Sequence, residues 1–347
     1  MAKILFAWPE FPDYAARSIK SVVERGHVVD VVATRPKVPV RGMERSLGQR
    51  VLWVEHNQKC ISLQNIDATL PDVIFMGGYG IPVFNRLEKE VRRNKGSVIL
   101  MSDHNWTGSL RQLVVDPVRH RMFYRSRFDG VFVPGDSGVS VARSWGYQSS
   151  QIFRGMYGAD PELFRCGNEV IDRPKKFIFV GQLIPRKNVK RLAQAFLRLA
   201  DERPDWSLTL CGTGVMEKEL PNHPSIEKLG FVQPSDLSSL LRESRCLVLP
   251  SNEEHWGLVV HEAALSGCSL ALSSNIGSAV DLIGEENGVT FNPRSTSDIY
   301  RSLLSITNWS VRRSESARLE SLRLASTFGP RRFADSVEMC LRHLSKP

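Results

Sequence analysis

The sequence predicts an α/β protein built from two Rossmann-like, doubly wound domains, and three observations support this prediction. At 347 residues the chain is longer than one ordinary hydrophobic core of about 100 to 200 residues, which indicates two domains. Short β-branched runs alternate with helix-length amphipathic stretches, a pattern typical of parallel sheets covered by helices. The alternation lapses once, over residues 161–175, and we expect the domain boundary there.

The predicted elements follow from this alternation. In the first half we predict strands over residues 4–7, 28–33, 73–76, 97–101 and 130–133, and a helix over 13–25 that ends at Gly26. In the second half we predict strands over 177–180, 207–211, 246–249, 269–273 and near Val289, with helices over 188–200, 235–242 and 257–265. The predicted domains are therefore residues 1–165 and 170–327.

Composition narrows the class of protein. Hydrophobic residues make up 42% of the chain and charged residues 24%, which excludes a disordered, collagenous or coiled-coil chain. The first apolar run, which stops before Pro9, is only five residues long, so we expect neither a signal peptide nor a membrane span there. The six cysteines form no C-x-x-C pair, so we expect them to be reduced and the protein to be cytoplasmic; they are Cys60, Cys166, Cys211, Cys246, Cys268 and Cys340.

The net charge of +9, with an isoelectric point near 9.4, predicts an anionic partner. Nucleic acid, a membrane surface and a phosphorylated substrate all fit this charge. The sequence contains no zinc-finger, RRM or helix-turn-helix signature, so nucleic acid is not expected as a partner.

The first candidate loop, residues 181–188, follows a predicted strand. Ligands bind beyond the carboxyl ends of strands in open α/β sheets, so this is a place where a site is expected. Arg186 and Lys187 stand just before a predicted helix with Asn188 as its N-cap, and cations beside free N–H groups suit a diphosphate without a metal ion. A solvated turn with two surface cations fits the same residues.

The second candidate loop leads into the helix predicted over 257–265. Glu254 precedes the helix and Glu262 lies within it, one turn after Leu258, so both carboxylates can point into one cleft. Gly257 opens the helix and Gly267 closes it. His261 has no third spaced ligand near it, so we expect no metal site.

With these loops in place, the region 177–293 resembles the nucleotide-sugar-binding domain of glycosyltransferase family 4, whose members are retaining enzymes of the GT-B fold. The elements that carry the resemblance are Val180-Gly181-x-Leu183 with Lys187, Gly230-Phe231-Val232 before Ser235-Asp236-Leu237, Leu249-Pro250-Ser251, the two glutamates around Trp256-Gly257-Leu258, Ile276-Gly277-Ser278, and Asn287-Gly288-Val289. Arg25-Gly26-His27-Val28 and Gly158-Ala159-Asp160 with Phe164 extend it into the first half.

The resemblance implies two domains that face each other across a cleft, with residues 328–347 as a helix that returns to the first domain. It also implies a role for each candidate residue. Lys187 would hold the donor diphosphate, Glu262 would accept hydrogen bonds from the ribose diol, and Glu254 would contact sugar hydroxyls. Further donor contacts are expected from Gly181, from the helix start at Gly257 and Leu258, and from Gly277 and Ser278.

At one position the sequence departs from the family pattern. Gln182 stands where family members commonly have an arginine that contacts the phosphates, and glutamine supplies no charge. Stabilisation of the leaving group would then depend on Lys187, with Arg186 compensating.

The first domain contributes the loop after the strand at 97–101. The family places a histidine near the sugar at about this point, so His104 is the candidate residue and Asp103 its alternative. A histidine with an ordinary structural hydrogen bond is the competing interpretation.

A basic, partly amphipathic helix is predicted over 111–128, interrupted by Pro117. Such a helix fits contact with an anionic membrane surface, and equally a helix packed on the sheet with solvated arginines. Family members often take lipid-linked acceptors, so the protein is expected in the cytoplasm, with a peripheral location at the inner face of the membrane.

The function that the resemblance implies is metal-independent transfer of a sugar, of hexosyl type, from a nucleotide-diphosphate sugar to an acceptor hydroxyl with retention of configuration. No cofactor is expected beyond this donor, and the acceptor would be a saccharide or lipid-linked, in polysaccharide, lipopolysaccharide or glycolipid biosynthesis. Two alternatives stay open: a nucleotide-sugar epimerase of the same fold, and a non-catalytic sugar-nucleotide-binding protein, which Gln182 favours.

Overall fold

The structure, a computed structural model, describes residues 1–36, 42–55, 58, 61–66, 70–167 and 169–345. It divides into two compact units. Unit 1 contains residues 1–158 and 328–347, and unit 2 contains residues 159–327. Each unit is an α/β domain around one parallel sheet, which confirms the predicted fold class.

Unit 1 is built on seven parallel strands in the order β3-β2-β1-β4-β5-β6-β7. The strands are β1 (Lys3–Trp8), β2 (Val28–Thr34), β3 (Leu52–Val54), β4 (Val73–Gly77), β5 (Ser97–Met101), β6 (Gly130–Val133) and β7 (Ile152–Arg154). The helices between them are α1 (Asp13–Val23), α2 (Met43–Leu47), α3 (Pro82–Arg93), α4 (Asp116–Phe123) and α5 (Asp136–Ser144).

The central strands of unit 1 are buried on both faces. Alternate residues of β1 illustrate this, because Phe6 packs in one apolar layer and Leu5 in the opposite one. Strands covered on both faces appear in the sequence as nearly continuous apolar runs, so they can be recognised there. All five strands predicted for unit 1 are present. The strands that the sequence analysis missed, β3 and β7, are three residues long and form the two edges of the sheet.

Unit 2 is built on six parallel strands in the order β10-β9-β8-β11-β12-β13. The strands are β8 (Lys176–Val180), β9 (Ser207–Cys211), β10 (Ile226–Gly230), β11 (Cys246–Leu249), β12 (Ser269–Ser273) and β13 (Gly288–Phe291). The helices are α6 (Val189–Glu202), α7 (Pro234–Glu243), α8 (Leu258–Leu265), α9 (Ala279–Leu282), α10 (Thr296–Thr307) and α11 (Val311–Ala325).

Strand β10 is the one missed in unit 2. It lies at the sheet edge, and Glu227 and Lys228 in its middle break any apolar run. This segment is a strand because it pairs with β9. Its sequence alone does not indicate one, since two charged residues in succession do not resemble a buried strand.

The last helix, α12 (Pro330–Leu344), packs on unit 1. Phe333 lies with its ring centroid 5.8 Å from that of Phe6 and 5.0 Å from that of Phe132. The Ser21 hydroxyl donates to the Pro330 carbonyl at 2.7 Å, and Arg25 forms an ion pair with Asp335 at 2.6 Å. The sheet of unit 1 is therefore covered by residues from both ends of the chain.

The basic segment predicted as one helix over 111–128 is three helical pieces instead. Arg111–Val115 forms a π-helical turn, α4 follows, and Arg125–Arg127 forms a 3-10 turn. Pro117 lies in the first turn of α4, where a missing N–H is tolerated. Throughout the described residues, no helix combines the length and apolar character needed to cross a membrane.

The described cysteines, Cys166, Cys211, Cys246, Cys268 and Cys340, are free thiols. Cys60 lies outside the described residues.

Candidate functional site

Three loops of unit 2 meet beside the point where its strand order reverses, between β8 and β11. Such switch points leave a crevice at the carboxyl ends of the strands. The Asn252 N–H donates to the Arg186 carbonyl at 2.8 Å, which joins the loop after β11 to the loop after β8. The Glu254 N–H donates to the Asn275 carbonyl at 3.2 Å, which joins it to the loop after β12.

A cluster of charged side chains occupies this junction. Lys187 Nζ donates to Glu254 Oε2 in a close ion pair, and Arg186 Nη1 lies 3.8 Å from the same oxygen. The Ser251 hydroxyl also donates to it, at 3.3 Å. The side chains of Lys187 and Glu254 are only 12% and 13% exposed, whereas that of Arg186 is 43% exposed. Two cations share one carboxylate, so the cluster carries a positive surplus that suits an anion.

Asn188 differs from the prediction that it caps α6 with its side chain. It lies at the N-cap position, but its φ of +56° is left-handed and its side chain makes no capping hydrogen bond. Its buried Nδ2 donates instead to the carbonyls of Pro250 and Pro293, at 3.0 and 2.8 Å. Asn188 therefore fastens the Lys187 loop to two neighbouring segments, a tertiary role that a local capping pattern does not reveal.

Gly212, directly after β9, was not predicted as part of the site. A Cβ there would lie 1.9 Å from the Gly181 carbonyl oxygen, and the φ of +141° is one that side chains rarely adopt. Only glycine lets the two loops approach this closely. The signal in the sequence is Gly212-Thr213-Gly214 following a strand, a glycine pair at a strand's carboxyl end.

The turn before α8 is fixed by its backbone. Gly257 is the N-cap residue of α8 with a φ of +82°. The Gly277 N–H donates to the Glu254 carbonyl at 3.1 Å, and the Ser278 N–H donates to the Trp256 carbonyl at 3.0 Å. Ser278 is fully buried, and its hydroxyl has no hydrogen-bond partner among the described residues. Gly277 and Ser278 thus support the Glu254 turn through their main chain.

The other predicted residues of unit 2 differ in burial. Gln182 is exposed, and Gly181 is half-buried against the Lys187 side chain. Leu258 and Glu262 are both half-buried in α8, one helical turn apart. Between positions 1 and 345, the described residues contain no group of three or more His, Cys, Asp or Glu side chains that could hold a metal ion.

His261, on α8 beside Glu262, is a structural residue. Its Nδ1 accepts from the Ala159 N–H at 2.9 Å, and its Nε2 donates to the Ala325 carbonyl at 2.9 Å. Burial lowers the pKa of His261 to about 4, so the ring is neutral near pH 7. The ring therefore holds the first and last segments of unit 2 against α8.

Unit 1 has a cavity of about 420 Å³ beside its own switch point, between β1 and β4. Its lining includes the aromatic residues Trp8, Tyr14, Tyr79 and Tyr157, the carboxylates of Glu10 and Asp103, and His104. No lysine or arginine is among the described residues that line it.

Asp103 and His104, both predicted as candidates, line this cavity with separate partners. The Tyr157 hydroxyl donates to Asp103 Oδ2 at 2.9 Å, and burial raises the pKa of Tyr157 well above its ordinary value. His104 Nδ1 lies 2.9 Å from the Ser102 hydroxyl, and its ring packs edge-on to Trp145 with centroids 5.3 Å apart. Asp103 is half-buried and His104 exposed.

Comparison with known proteins gives a consistent class. Residues 163–318 match the family model described as "Glycosyl transferases group 1", which covers most of unit 2 and less than half of the chain. A glycogen synthase from Mycobacterium tuberculosis is 28% identical over 162 residues, 45% of this chain and 39% of the relative. The chain thus spans about two fifths of the length of this relative.

Solved structures match over the whole chain. Anabaena Alr3699/HepE, in complex with UDP and glucose, has a TM-score of 0.72 at 14% identity and covers 99% of this chain and 100% of its own. Sucrose-phosphate synthase from Thermosynechococcus elongatus has a TM-score of 0.73 at 15% identity, with 99% of both chains covered. At these identities the likeness is one of fold, and the chain has the GT-B fold.

Proposed function

We propose that the protein is a glycosyltransferase that moves a hexosyl group from a nucleotide-diphosphate sugar to an acceptor hydroxyl, with retention of configuration and without a metal ion. The observation that carries the proposal is the cluster of Lys187, Arg186 and Glu254 at the switch point of unit 2. The match of this region to group 1 glycosyltransferases and the UDP-bound structures of the same fold support it.

Donor binding would begin at the cations. Lys187 Nζ, now paired with Glu254, would transfer part of its hydrogen bonding to the diphosphate, and the exposed Arg186 would add a second positive charge. The N–H groups at the start of α8, after Gly257, would contribute further donors. Glu262, one turn into α8, would accept hydrogen bonds from the two ribose hydroxyls.

Release from Lys187 would free Glu254 for the sugar. Its carboxylate stands at the end of the loop that Gly277 and Asn275 hold in place, so it can accept from sugar hydroxyls while the phosphates occupy the lysine. In the free protein the Lys187–Glu254 pair keeps both side chains positioned, because each neutralises the other in a poorly solvated place.

In the proposed reaction the bond between the anomeric carbon and the diphosphate oxygen breaks, and its electron pair leaves with the phosphate. The acceptor oxygen bonds to the same face of that carbon, and its proton passes to the leaving phosphate. Lys187 and Arg186 would stabilise the negative charge that develops on the leaving group. Charged side chains would thereby perform the task for which other transferases use a divalent cation.

The cavity of unit 1 would receive the acceptor. Its aromatic rings suit the apolar faces of sugar rings, and the Glu10 and Asp103 carboxylates accept hydrogen bonds from hydroxyls. Because these carboxylates are acidic and the described lining offers no lysine or arginine, we expect neutral or amine-bearing saccharides there rather than phosphorylated ones. Polysaccharide, lipopolysaccharide or glycolipid assembly would supply such acceptors.

A thermal-shift screen against UDP, GDP, ADP and their common sugar conjugates tests donor binding, because a ligand that binds only the folded state raises its stability. Incubation of the stabilising donor with saccharide acceptors, followed by NMR of the anomeric proton in the product, then tests transfer and retention. Stabilisation by none of these compounds would contradict the proposal.

A second candidate is a non-catalytic sugar-nucleotide-binding protein. The exposed Gln182 adds no charge to the diphosphate site, and Glu254 is held by Lys187. This candidate predicts stabilisation by a nucleotide without turnover. An epimerase would instead change the donor sugar when no acceptor is present.

A further inference from the structure

The segment that leads from the unit 1 cavity loop into α4 exposes an unusual amount of apolar surface. Leu110, Val114, Val118 and Met122 recur at every fourth position and so form one stripe along it. Leu113, Val115 and Phe123 flank this stripe. Their exposed fractions lie between 52% and 81%. We refer to these seven side chains as the 110–123 patch.

The opposite face of the segment is anchored, so the patch is held outward. Pro117 and His120 are buried. The His120 ring stacks on Trp145 with centroids 4.2 Å apart and an interplanar angle of 11°, and its Nε2 lies 3.2 Å from the Tyr147 hydroxyl. The patch is therefore exposed on a helix whose opposite face is packed against the rest of unit 1.

Positive charge surrounds the patch. Arg111, Arg119 and Arg121 are exposed on the same segment. The single acidic residue between positions 110 and 128 is Asp116, whose carboxylate lies 3.2 Å from Arg111 Nε. Aliphatic side chains bordered by arginines match a lipid surface, where apolar groups enter the acyl boundary and guanidinium groups meet anionic headgroups.

We infer that the 110–123 patch docks unit 1 on an anionic bilayer surface. The centre of the patch is apolar, formed by Val114, Val118 and Met122, and its charged border carries three exposed arginines against the single carboxylate of Asp116. Charge complementarity therefore favours anionic lipid as the occupant.

The patch is tied to the rim of the cavity. Gln112 Nε2 donates to the Asn105 carbonyl at 2.6 Å, and the Thr107 N–H donates to Gln112 Oε1 at 2.7 Å. These bonds fix the patch segment to the loop that carries Asp103 and His104. Docking would thus hold the cavity rim close to the membrane, where a lipid-linked saccharide would present its sugar; this step rests on the proposed function, but vesicle binding does not.

Cosedimentation of the full chain with vesicles tests the inference. We expect the protein to pellet with vesicles of phosphatidylcholine containing 30% phosphatidylglycerol, and to stay in solution with phosphatidylcholine alone. Replacing Arg111, Arg119 and Arg121 by glutamine should weaken binding by about fivefold per arginine, and added salt should act in the same direction.

The apolar contribution is tested by a matched pair of variants. Leu110→Ser/Val118→Ser/Met122→Ser should lose at least tenfold in vesicle affinity. Leu319→Ser/Val311→Ser/Met339→Ser removes the same three residue types at sites that are 48% to 56% exposed elsewhere, and should bind as the unaltered protein does. Equal unfolding temperatures will show that both variants are folded.

Three outcomes would overturn the inference. The unaltered protein could fail to pellet with anionic vesicles, or the control variant could lose as much binding as the patch variant. The third is a dimer in light scattering that the patch variant alone dissociates, together with no vesicle binding, which would make a second copy of the chain the occupant.

Discussion

The two units place a candidate site at the same topological position, beside the strand where the order of the sheet reverses, yet the two sites have opposite chemistry. In unit 2 the Lys187–Glu254 pair and Arg186 form a positive cluster. In unit 1 the cavity has aromatic walls and two carboxylates, Glu10 and Asp103. Two parallel sheets of related topology thus provide a site suited to an anion and a site suited to a polyhydroxylated neutral ligand, because different side chains follow the strand ends.

The candidate site of unit 2 is suited to bind by charge, whereas the cavity of unit 1 is suited to bind by shape and hydrogen bonding. Residues 163–318, the part that matches the glycosyltransferase model, contain the charged cluster, while the unit 1 cavity lies outside that match. If the proposed function is right, changes in unit 2 should affect the nucleotide and changes in unit 1 should affect the acceptor. Of the four predictions below, those on Lys187, on the two glutamates and on Asp103 test this division.

The largest effect is expected for Lys187→Gln. Loss of this cation should lower kcat/KM at least about hundredfold, because it removes charge stabilisation of the leaving phosphate and the nearest ion-pair partner of Glu254. The thermal shift produced by the nucleotide should also disappear. Lys175→Gln is the matched control, since Lys175 forms an exposed ion pair with Asp205 in the same unit. Similar losses in both variants would show that the effect is not specific to the site.

Replacing each of the two glutamates in turn should then separate sugar transfer from nucleotide binding within unit 2. Glu254→Gln should slow transfer about hundredfold and leave nucleotide affinity almost unchanged, whereas Glu262→Gln should weaken nucleotide binding about tenfold. Kinetics at saturating donor and calorimetry with the nucleotide measure the two effects. Glu219→Gln, an exposed glutamate paired with Lys190, is the control. The reverse pattern would show that the roles have been exchanged.

The two units also differ in the hydrogen bonding of a buried histidine. Such a histidine makes the stability of the fold depend on pH. Burial lowers the pKa of His261 and of His120 to about 4, but both ring nitrogens of His261 are hydrogen-bonded whereas His120 Nδ1 has no partner among the described residues. A histidine whose folded pKa lies below its unfolded value near 6.5 stabilises the fold above that value. This stability is lost as the pH falls from about 6.5 towards 4.

For His261 the loss should be about 2 kcal/mol in unfolding free energy between pH 7 and pH 5. Urea denaturation at both pH values measures it. His261→Gln should be less stable at pH 7 and should show a correspondingly smaller dependence on pH. An unaltered pH dependence in this variant would mean that His261 does not titrate as its burial indicates.

The smallest effect is expected in the unit 1 cavity. Asp103→Asn should raise the KM for the acceptor about tenfold and leave the nucleotide thermal shift as it is, because in the proposed function this carboxylate binds the acceptor and not the nucleotide. Tyr157→Phe, which removes the hydroxyl that donates to Asp103, should have a weaker effect in the same direction. A change in nucleotide affinity in either variant would contradict the proposal that unit 1 binds the acceptor and unit 2 the nucleotide.

The buried strands and the charged loops could be predicted from the sequence because both depend on local sequence pattern. The buried strands are continuous apolar runs, and all of those predicted are present; β5, β6, β9, β11 and β12 have the predicted bounds. The charged loops were recognisable because strand ends mark where ligands bind in this fold class. The edge strands β3, β7 and β10 were missed because pairing with a neighbour, rather than their own composition, makes them strands.

Tertiary structure alone decided which side chains meet. Nothing in the local sequence indicates that Lys187 pairs with Glu254, that Asn188 bonds the carbonyls of Pro250 and Pro293, or that His261 holds Ala159 and Ala325. These partners are between 62 and 105 residues apart along the chain. Periodicity and turn chemistry act over a few residues, so they determine the elements, whereas contacts between distant loops exist only once the sheet has brought its strand ends to one edge.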